Sequence, residues 1–271
     1  METVLVTGAS SGIGRATAIF LAKKGYRVYA GARRTEKMEE LKQYAINPVK
    51  LDVTDEELAK SCIEKIERES GGVDILINNA GYGLYGTIEE VPIKEAKRQM
   101  DVNVFGLARM TQLVIPYMRK KKRGKIINIS SIAGKLTTPL GGWYHASKFA
   151  VEALSDCLRV ELSPFGIDVV VIEPGGIKTE WSDIAFDNLR KTSGSGPYAD
   201  YVEKVIAMFE KNYSSARISG PEIIAETIYK AMKAKRPKTR YAAGYMARPM
   251  LLIRKLFSDR MMDRLTRLMT G

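Results

Sequence analysis

The 271-residue sequence predicts a doubly wound α/β fold, with a parallel sheet of about seven strands, helices on both faces and a basic helical extension at the C-terminal end. Three observations predict it. Short apolar runs alternate strictly with longer amphipathic segments, a glycine-rich turn follows the first run directly, and no linker-like stretch interrupts the pattern from Thr3 to about Tyr241. Strands separated by helices run parallel through right-handed crossovers, and a sheet covered on both faces needs continuous apolar strands.

In chain order, the strands are expected at Val4 to Val6, Arg27 to Ala32, Val49 to Leu51, Asp74 to Ile77, Lys125 to Ile129 and Asp168 to Ile172. Between them the apolar period becomes helical over Ile13 to Lys24, Asp55 to Glu69, Ile93 to Lys121 and Trp143 to Phe165. A helix opened by Pro221-Glu222 leads to a seventh strand near Thr239 to Ala242. From 176 to 220 the pattern weakens around Lys191 to Pro197, so this long connection beyond the sixth strand reads as a substrate lid. Residues 1–245 then form one domain, and 246–271 an amphipathic helical extension.

Forty-three basic and 31 acidic residues give a net charge of +12. The segment Lys235 to Gly271 alone carries ten Lys or Arg against Asp259 and Asp263. Interleaved Leu, Ile, Met and Phe make it a basic amphipathic segment, fit either to pack on the domain or a second copy, or to lie on an anionic membrane surface. It lacks a nucleic-acid reading motif, so nucleic acid is not an expected partner. No secretory leader or membrane-spanning run is recognisable, which favours a cytoplasmic protein, peripheral at a membrane at most. Cys62 and Cys157 sit in helical patterns, where reduced thiols are expected rather than a disulfide or metal site.

Directly after the first strand comes Thr7-Gly8-Ala9-Ser10-Ser11-Gly12-Ile13-Gly14. Glycines let the backbone turn sharply and approach a pyrophosphate, whose charge then lies at the positive end of the following helix. The second strand ends in Ala32 where a carboxylate would bind an NAD ribose, and Arg33-Arg34 follow. Guanidinium groups there pair with a 2′-phosphate, so NADP is favoured over NAD. Asp52 and Val53, after the third strand, are placed to meet the adenine.

Tyr144 precedes Lys148 by four residues, and Ser131 lies thirteen upstream of the tyrosine. On a helix that spacing puts phenol and ammonium on one face. A free tyrosine titrates near ~10, and a fixed cation beside it favours the phenolate. Asn78-Asn79-Ala80-Gly81 follows the fourth strand, Asn103 lies in the helical pattern Ile93 to Lys121, and Pro174-Gly175 ends the sixth strand ahead of Ile177 and Thr179. His145, next to Tyr144, points away from it on a helix and is not an expected catalyst.

Taken together, Thr7 to Gly14, Asp52, Asn78 to Gly81, Asn103, Ser131, Tyr144, Lys148, Pro174-Gly175 and Thr179 resemble the short-chain dehydrogenase/reductase family over about residues 1–180. Within the family, Asn79 to Gly83, Glu173 to Gly175 and the tail beyond Thr239 resemble its hydroxysteroid and retinol dehydrogenase-like branch. The resemblance implies a Rossmann fold and an oxidoreductase in which hydride moves between NADP(H) and a substrate alcohol or ketone. Tyr144 would act as general acid/base, Lys148 would lower its pKa and hold the nicotinamide ribose, and Ser131 would bind the substrate oxygen. Asn103 would hold a water linking the lysine to solvent. Gly8, Ser10, Ser11, Gly12, Ile13, Gly14, Arg33, Arg34, Asp52, Val53, Asn79, Ala80, Gly81, Pro174, Gly175, Ile177 and Thr179, with Tyr144 and Lys148, would hold the cofactor.

Tyr82, Leu84, Ile132, Leu136, Leu140, Trp143 and the segment Trp181 to Phe186 are expected around the substrate, which suits a steroid-, retinoid- or fatty-carbonyl-like compound. Two alternatives are a 3-ketoacyl-(acyl carrier protein) reductase and a non-catalytic NADP-sensing protein. Similarity to the family also implies a homodimer or homotetramer built on the two long helices.

Overall fold

The computed structural model describes residues 1–213 and 218–270, and at 183, 211–213 and 269 the backbone only. Residues 214–217 of the expected lid and residue 271 of the expected extension lie outside the described residues. Seven parallel strands form one sheet: β1 (Thr3–Thr7), β2 (Arg27–Ala32), β3 (Asn47–Lys50), β4 (Ile75–Asn78), β5 (Gly124–Ile129), β6 (Ile167–Pro174) and β7 (Arg240–Ala243). Their order is β3-β2-β1-β4-β5-β6-β7. The winding reverses between β1 and β4, which opens a crevice beyond their C-terminal ends.

Alternate side chains on each strand enter two cores. Val4 and Val6 of β1 pack with Ile75, Ile77 and Ile172 toward α1 (Gly12–Lys23), while Leu5 joins Leu76 and Ile126 toward α2 (Glu56–Ser70) on the opposite face. Both faces are covered, which is why the strands carry few polar residues.

Two segments depart from the expected elements. The helix expected from Ile93 to Lys121 is α3 (Ile93–Met100) and α4 (Leu107–Lys121) joined by a π-helical stretch, Asp101–Gly106. At Gly106 a β-carbon would lie 2.6 Å from the Val53 side chain, so the wider turn seats its backbone against the end of β3. A 3-10 segment, Thr35–Tyr44, fills the connection from β2 to β3.

After α5 (Gly142–Leu162) and β6, the segment expected to form a lid is itself helical, with α6 (Trp181–Ser193) and α7 (Ala199–Tyr213) ahead of α8 (Glu222–Lys233). The extension forms α9 (Ala247–Leu256) and α10 (Asp259–Thr270). The first packs on β7 and on the 3-10 turn Ile132–Gly134, and the second packs on α7. Met262, Leu265 and Thr266 of α10 line an apolar seam with Val205, Met208 and Phe209 of α7. No helix among the described residues is long and apolar enough to cross a membrane.

Candidate active site

The β1–α1 turn has the conformation that a dinucleotide pyrophosphate requires. Gly8 and Gly12 take φ of 67° and 53°, values that side chains disfavour. A β-carbon at Gly14 would lie 2.5 Å from both Asn79 Nδ2 and the Gly8 carbonyl oxygen. The first turn of α1 has neither a side-chain cap nor an acidic residue, so its N–H groups and positive dipole end remain available to an anion. Ser10 and Ser11 lie in this turn, and exposed Arg33 and Arg34 flank it, with Arg34 reaching the Ser10 hydroxyl at 3.5 Å. The residues present therefore fit a phosphorylated dinucleotide.

Several expected cofactor residues brace this cradle through their own bonds. Asn79 Nδ2 donates to the Thr7 and Gly8 carbonyls, while Thr7 Oγ1 accepts from the Asn79 and Ala80 amides. Asp52 Oδ1 accepts from both the amide and the hydroxyl of Thr54, and the Val53 carbonyl accepts from Arg109 at 2.6 Å. Across the crevice the Thr179 methyl faces Gly12, and Ile177 is buried. Gly175 stands against the main chain of Tyr245 and Ala247, where a β-carbon would meet the Tyr245 carbonyl oxygen at 2.2 Å. Its missing side chain thus serves packing of the extension as well as the crevice.

On α5, Tyr144 and Lys148 share one face, with Lys148 Nζ 5.9 Å from the Tyr144 ring centroid. The ammonium donates to the Ile129 carbonyl at 2.9 Å. Burial lowers the Lys148 pKa to about 8, opposed by the charge of Glu152. Gly81 comes close to both Asn103 and Lys148, since a β-carbon there would lie 3.1 Å from Asn103 Oδ1 and 3.8 Å from Lys148 Nζ. Ser131 caps the 3-10 turn by accepting from the Ala133 amide, and its hydroxyl donates to the Pro174 carbonyl at 3.4 Å. That fixes it between the ends of β5 and β6.

The Asn103 side chain is held by three hydrogen bonds. Oδ1 accepts from the Tyr82 amide, while Nδ2 donates to the Tyr82 carbonyl and to Ser147 Oγ. Ser147 Oγ in turn donates to the Tyr144 carbonyl at 2.7 Å. The side chain therefore fastens the π-helical stretch to the start of α5. His145 is buried: Nε2 accepts from the Thr138 amide, so Nδ1 carries the proton donated to the Ala133 carbonyl, and burial lowers its pKa. It holds the loop between the 3-10 turn and α5.

The Tyr144 ring packs against Trp181 and Tyr85, at centroid distances of 5.2 and 5.9 Å. The same apolar cluster includes Leu140, Ala185 and Phe186 and runs into α7 through Val202, Val205 and Phe209. Tyr82, Leu84 and Trp143, also expected around the substrate, instead form a separate cluster with Val91 and Ala96. Tyr85 was missed by sequence reasoning, as were Ser147 and Glu152. For Glu152 a signal existed: an acid at i+4 from Lys148 on a helix that otherwise buries that face.

The model of the short chain dehydrogenase family matches residues 2–189. A 3-ketodihydrosphingosine reductase from Bacteroides thetaiotaomicron is 38% identical over 245 residues, covering 90% of this chain and 88% of its own. An NADPH-dependent 3-dehydrocapnine reductase from Ornithobacterium rhinotracheale is 37% identical over 279 residues, covering 98% and 96%. Among solved structures, a short-chain dehydrogenase from Streptomyces avermitilis superposes with a TM-score of 0.82 at 33% identity, covering 98% of this chain and 95% of its own.

Proposed function

The chain belongs to the short-chain dehydrogenase family of oxidoreductases, and from that premise we propose that it is an NADP(H)-dependent reductase of a hydrophobic ketone, with Tyr144 as proton donor. One observation carries the reading: the Tyr144 phenol shares a helix face with the desolvated Lys148 ammonium, and its ring packs against Tyr85 and Trp181. When bound, NADP(H) supplies or accepts the hydride. Gly8 to Gly14 and the α1 N-terminus hold its pyrophosphate, Arg33 and Arg34 its 2′-phosphate, and Pro174, Gly175, Ile177 and Thr179 its nicotinamide end.

Tyr144 gives its proton to the ketone oxygen, and Lys148 stabilises the phenolate left behind. The Ser131 hydroxyl, turning its proton from the distant Pro174 carbonyl, hydrogen-bonds the same oxygen as negative charge develops on it. Asn103 acts through Ser147 by holding the first turn of α5, and so Tyr144, in place. The apolar walls exclude water and favour a carbonyl on a hydrocarbon framework. Two relatives named as reductases of 3-ketodihydrosphingosine and of 3-dehydrocapnine support the ketone, and the second, named NADPH-dependent, supports the cofactor. A homodimer or homotetramer built on the helical stretch Ile93 to Lys121 and on α5 belongs to the same reading, supported by Phe105 and Phe149, which are 57% and 43% exposed.

The test is oxidation of NADPH and of NADH over a panel of steroid, retinoid, sphingoid and fatty ketones. We expect turnover favouring NADPH, lost by about a hundredfold or more in Tyr144→Phe with NADPH binding retained. Undiminished turnover in that variant would remove Tyr144 from the mechanism.

A further inference from the structure

We propose that the C-terminal helix pair is a docking surface for an anionic lipid bilayer. Each helix turns one face inward, α9 onto β7 and the 132–134 turn and α10 onto α7, where Tyr201 donates a hydrogen bond to Thr270. The outer faces are not the polar surfaces that helices packed on a domain normally present. Leu252 and Leu256 of α9 are 58% and 69% exposed, and Met261 and Leu268 of α10 are 45% and 84% exposed. Each pair is spaced to lie on one side of its helix, four residues apart in α9 and seven in α10.

Among these apolar side chains stand exposed Arg248, Lys255, Arg260, Arg264 and Arg267. Among the described residues none of the five is in an ion pair, whereas Arg254 holds Asp259 at 2.8 Å. That combination selects the occupant. A second copy docking through the same face about a two-fold axis would set this basic surface against itself. Nucleic acid would neutralise the cations but leave four large apolar side chains in water. An anionic bilayer meets both demands, because Leu and Met enter the boundary between headgroups and acyl chains while Arg and Lys stay among lipid phosphates. The mixed outer face suits shallow, reversible attachment. Since α10 rests on α7, and α7 shares an apolar cluster with Tyr144, attachment would bring the lid to the surface that holds apolar substrates. Vesicle binding is measured without turnover, so failure of the docking surface and failure of the reductase reading are separate results.

The experiment is flotation of the full chain with vesicles of phosphatidylcholine alone or mixed with phosphatidylglycerol, at low and high salt. We expect binding to the anionic vesicles at low salt, little to phosphatidylcholine alone, and release at high salt as the charges are screened. Arg260→Gln with Arg264→Gln and Arg267→Gln, or Leu252→Gln with Leu256→Gln and Leu268→Gln, should each weaken binding about tenfold or more. Turnover of a water-soluble ketone should be unchanged in both. The proposal is overturned if the intact chain ignores anionic vesicles at low salt or if neither variant weakens binding. It is equally overturned if light scattering shows that the apolar variant breaks an oligomer, which would make this face a contact between copies.

Discussion

Glu152 lies one helical turn beyond Lys148 on α5, and its carboxylate, only 4% exposed, is held at 2.9 Å by both Lys135 and Arg240. Its other oxygen is buried without a hydrogen-bond partner. A buried carboxylate between three cations is the main counterweight to the desolvation that lowers the Lys148 pKa to about 8. In Glu152→Gln that counterweight is gone while Lys135 and Arg240 remain, so Lys148 must lose its proton at lower pH. We expect the alkaline limb of the kcat/KM profile to move down by about half a unit or more. A purely structural salt bridge would lower activity without moving the limb.

Glu173, at the end of β6, gives the same cluster a measurable effect on stability. Burial raises its pKa from 4.5 to about 7, helped by Glu152 and opposed by Lys135 and by Arg240, 3.6 Å away. The folded state therefore binds this proton more tightly than the unfolded chain does. The associated stability is complete below pH 4.5 and is lost as pH rises through 7. Glu173→Gln should remove this dependence, so its Tm relative to the parent should climb between about pH 4.5 and 7 and level off above, a gain of up to about 3 kcal/mol. A Tm difference that stays constant over that range would contradict the assignment.

Arg33 and Arg34 are exposed at the mouth of the phosphate turn, and Ala32 before them offers no carboxylate. Their replacement together by Ala should raise KM for NADPH about ten- to a hundredfold, the loss expected for charge-assisted bonds, and leave KM for NADH nearly unchanged. Equal loss for both cofactors would mean that the two arginines act on the loop rather than on the 2′-phosphate.

The parts legible in the sequence were those written in local spacing. Continuous apolar runs such as Val4 to Val6 must be buried on both sides, and Tyr144 with Lys148 needs only the helical repeat to meet. The π-helical stretch was hidden because Met100, Val104, Leu107 and Met110 satisfy an unbroken α-helical period equally well. The helices α6 and α7 were masked by Gly194-Ser195-Gly196-Pro197, and α6 also turns Trp181 and Phe186 toward Tyr144. Glu152 and Arg240, 88 positions apart, meet only because β7 completes the sheet beside β6. Asn103 was found, but its bonds to Tyr82 and Ser147 depend on tertiary contacts that no spacing encodes.

Gly175 joins the site to the extension, and its substitution tests that link. Its amide donates to the Ala243 carbonyl, and Gly176 exchanges two main-chain bonds with Tyr245. A β-carbon at 175 would lie 2.2 Å from the Tyr245 oxygen and 2.9 Å from the Ala247 nitrogen, so main chain rather than a flexible side chain must give way. We expect Gly175→Ala to cost about 1–3 kcal/mol, as overpacking does, and to lower Tm by several degrees. Because the strain falls between the end of β6 and the start of α9, KM for NADPH should rise and proteolysis near 243–247 should accelerate. Gly25→Ala is the control: nothing lies within 4 Å of its β-carbon, but its φ of 84° carries a strain remote from the crevice. Both variants should lose stability, and only Gly175→Ala should weaken the cofactor and loosen the extension. An equal effect of the two on NADPH would show that general destabilisation, not this contact, is responsible.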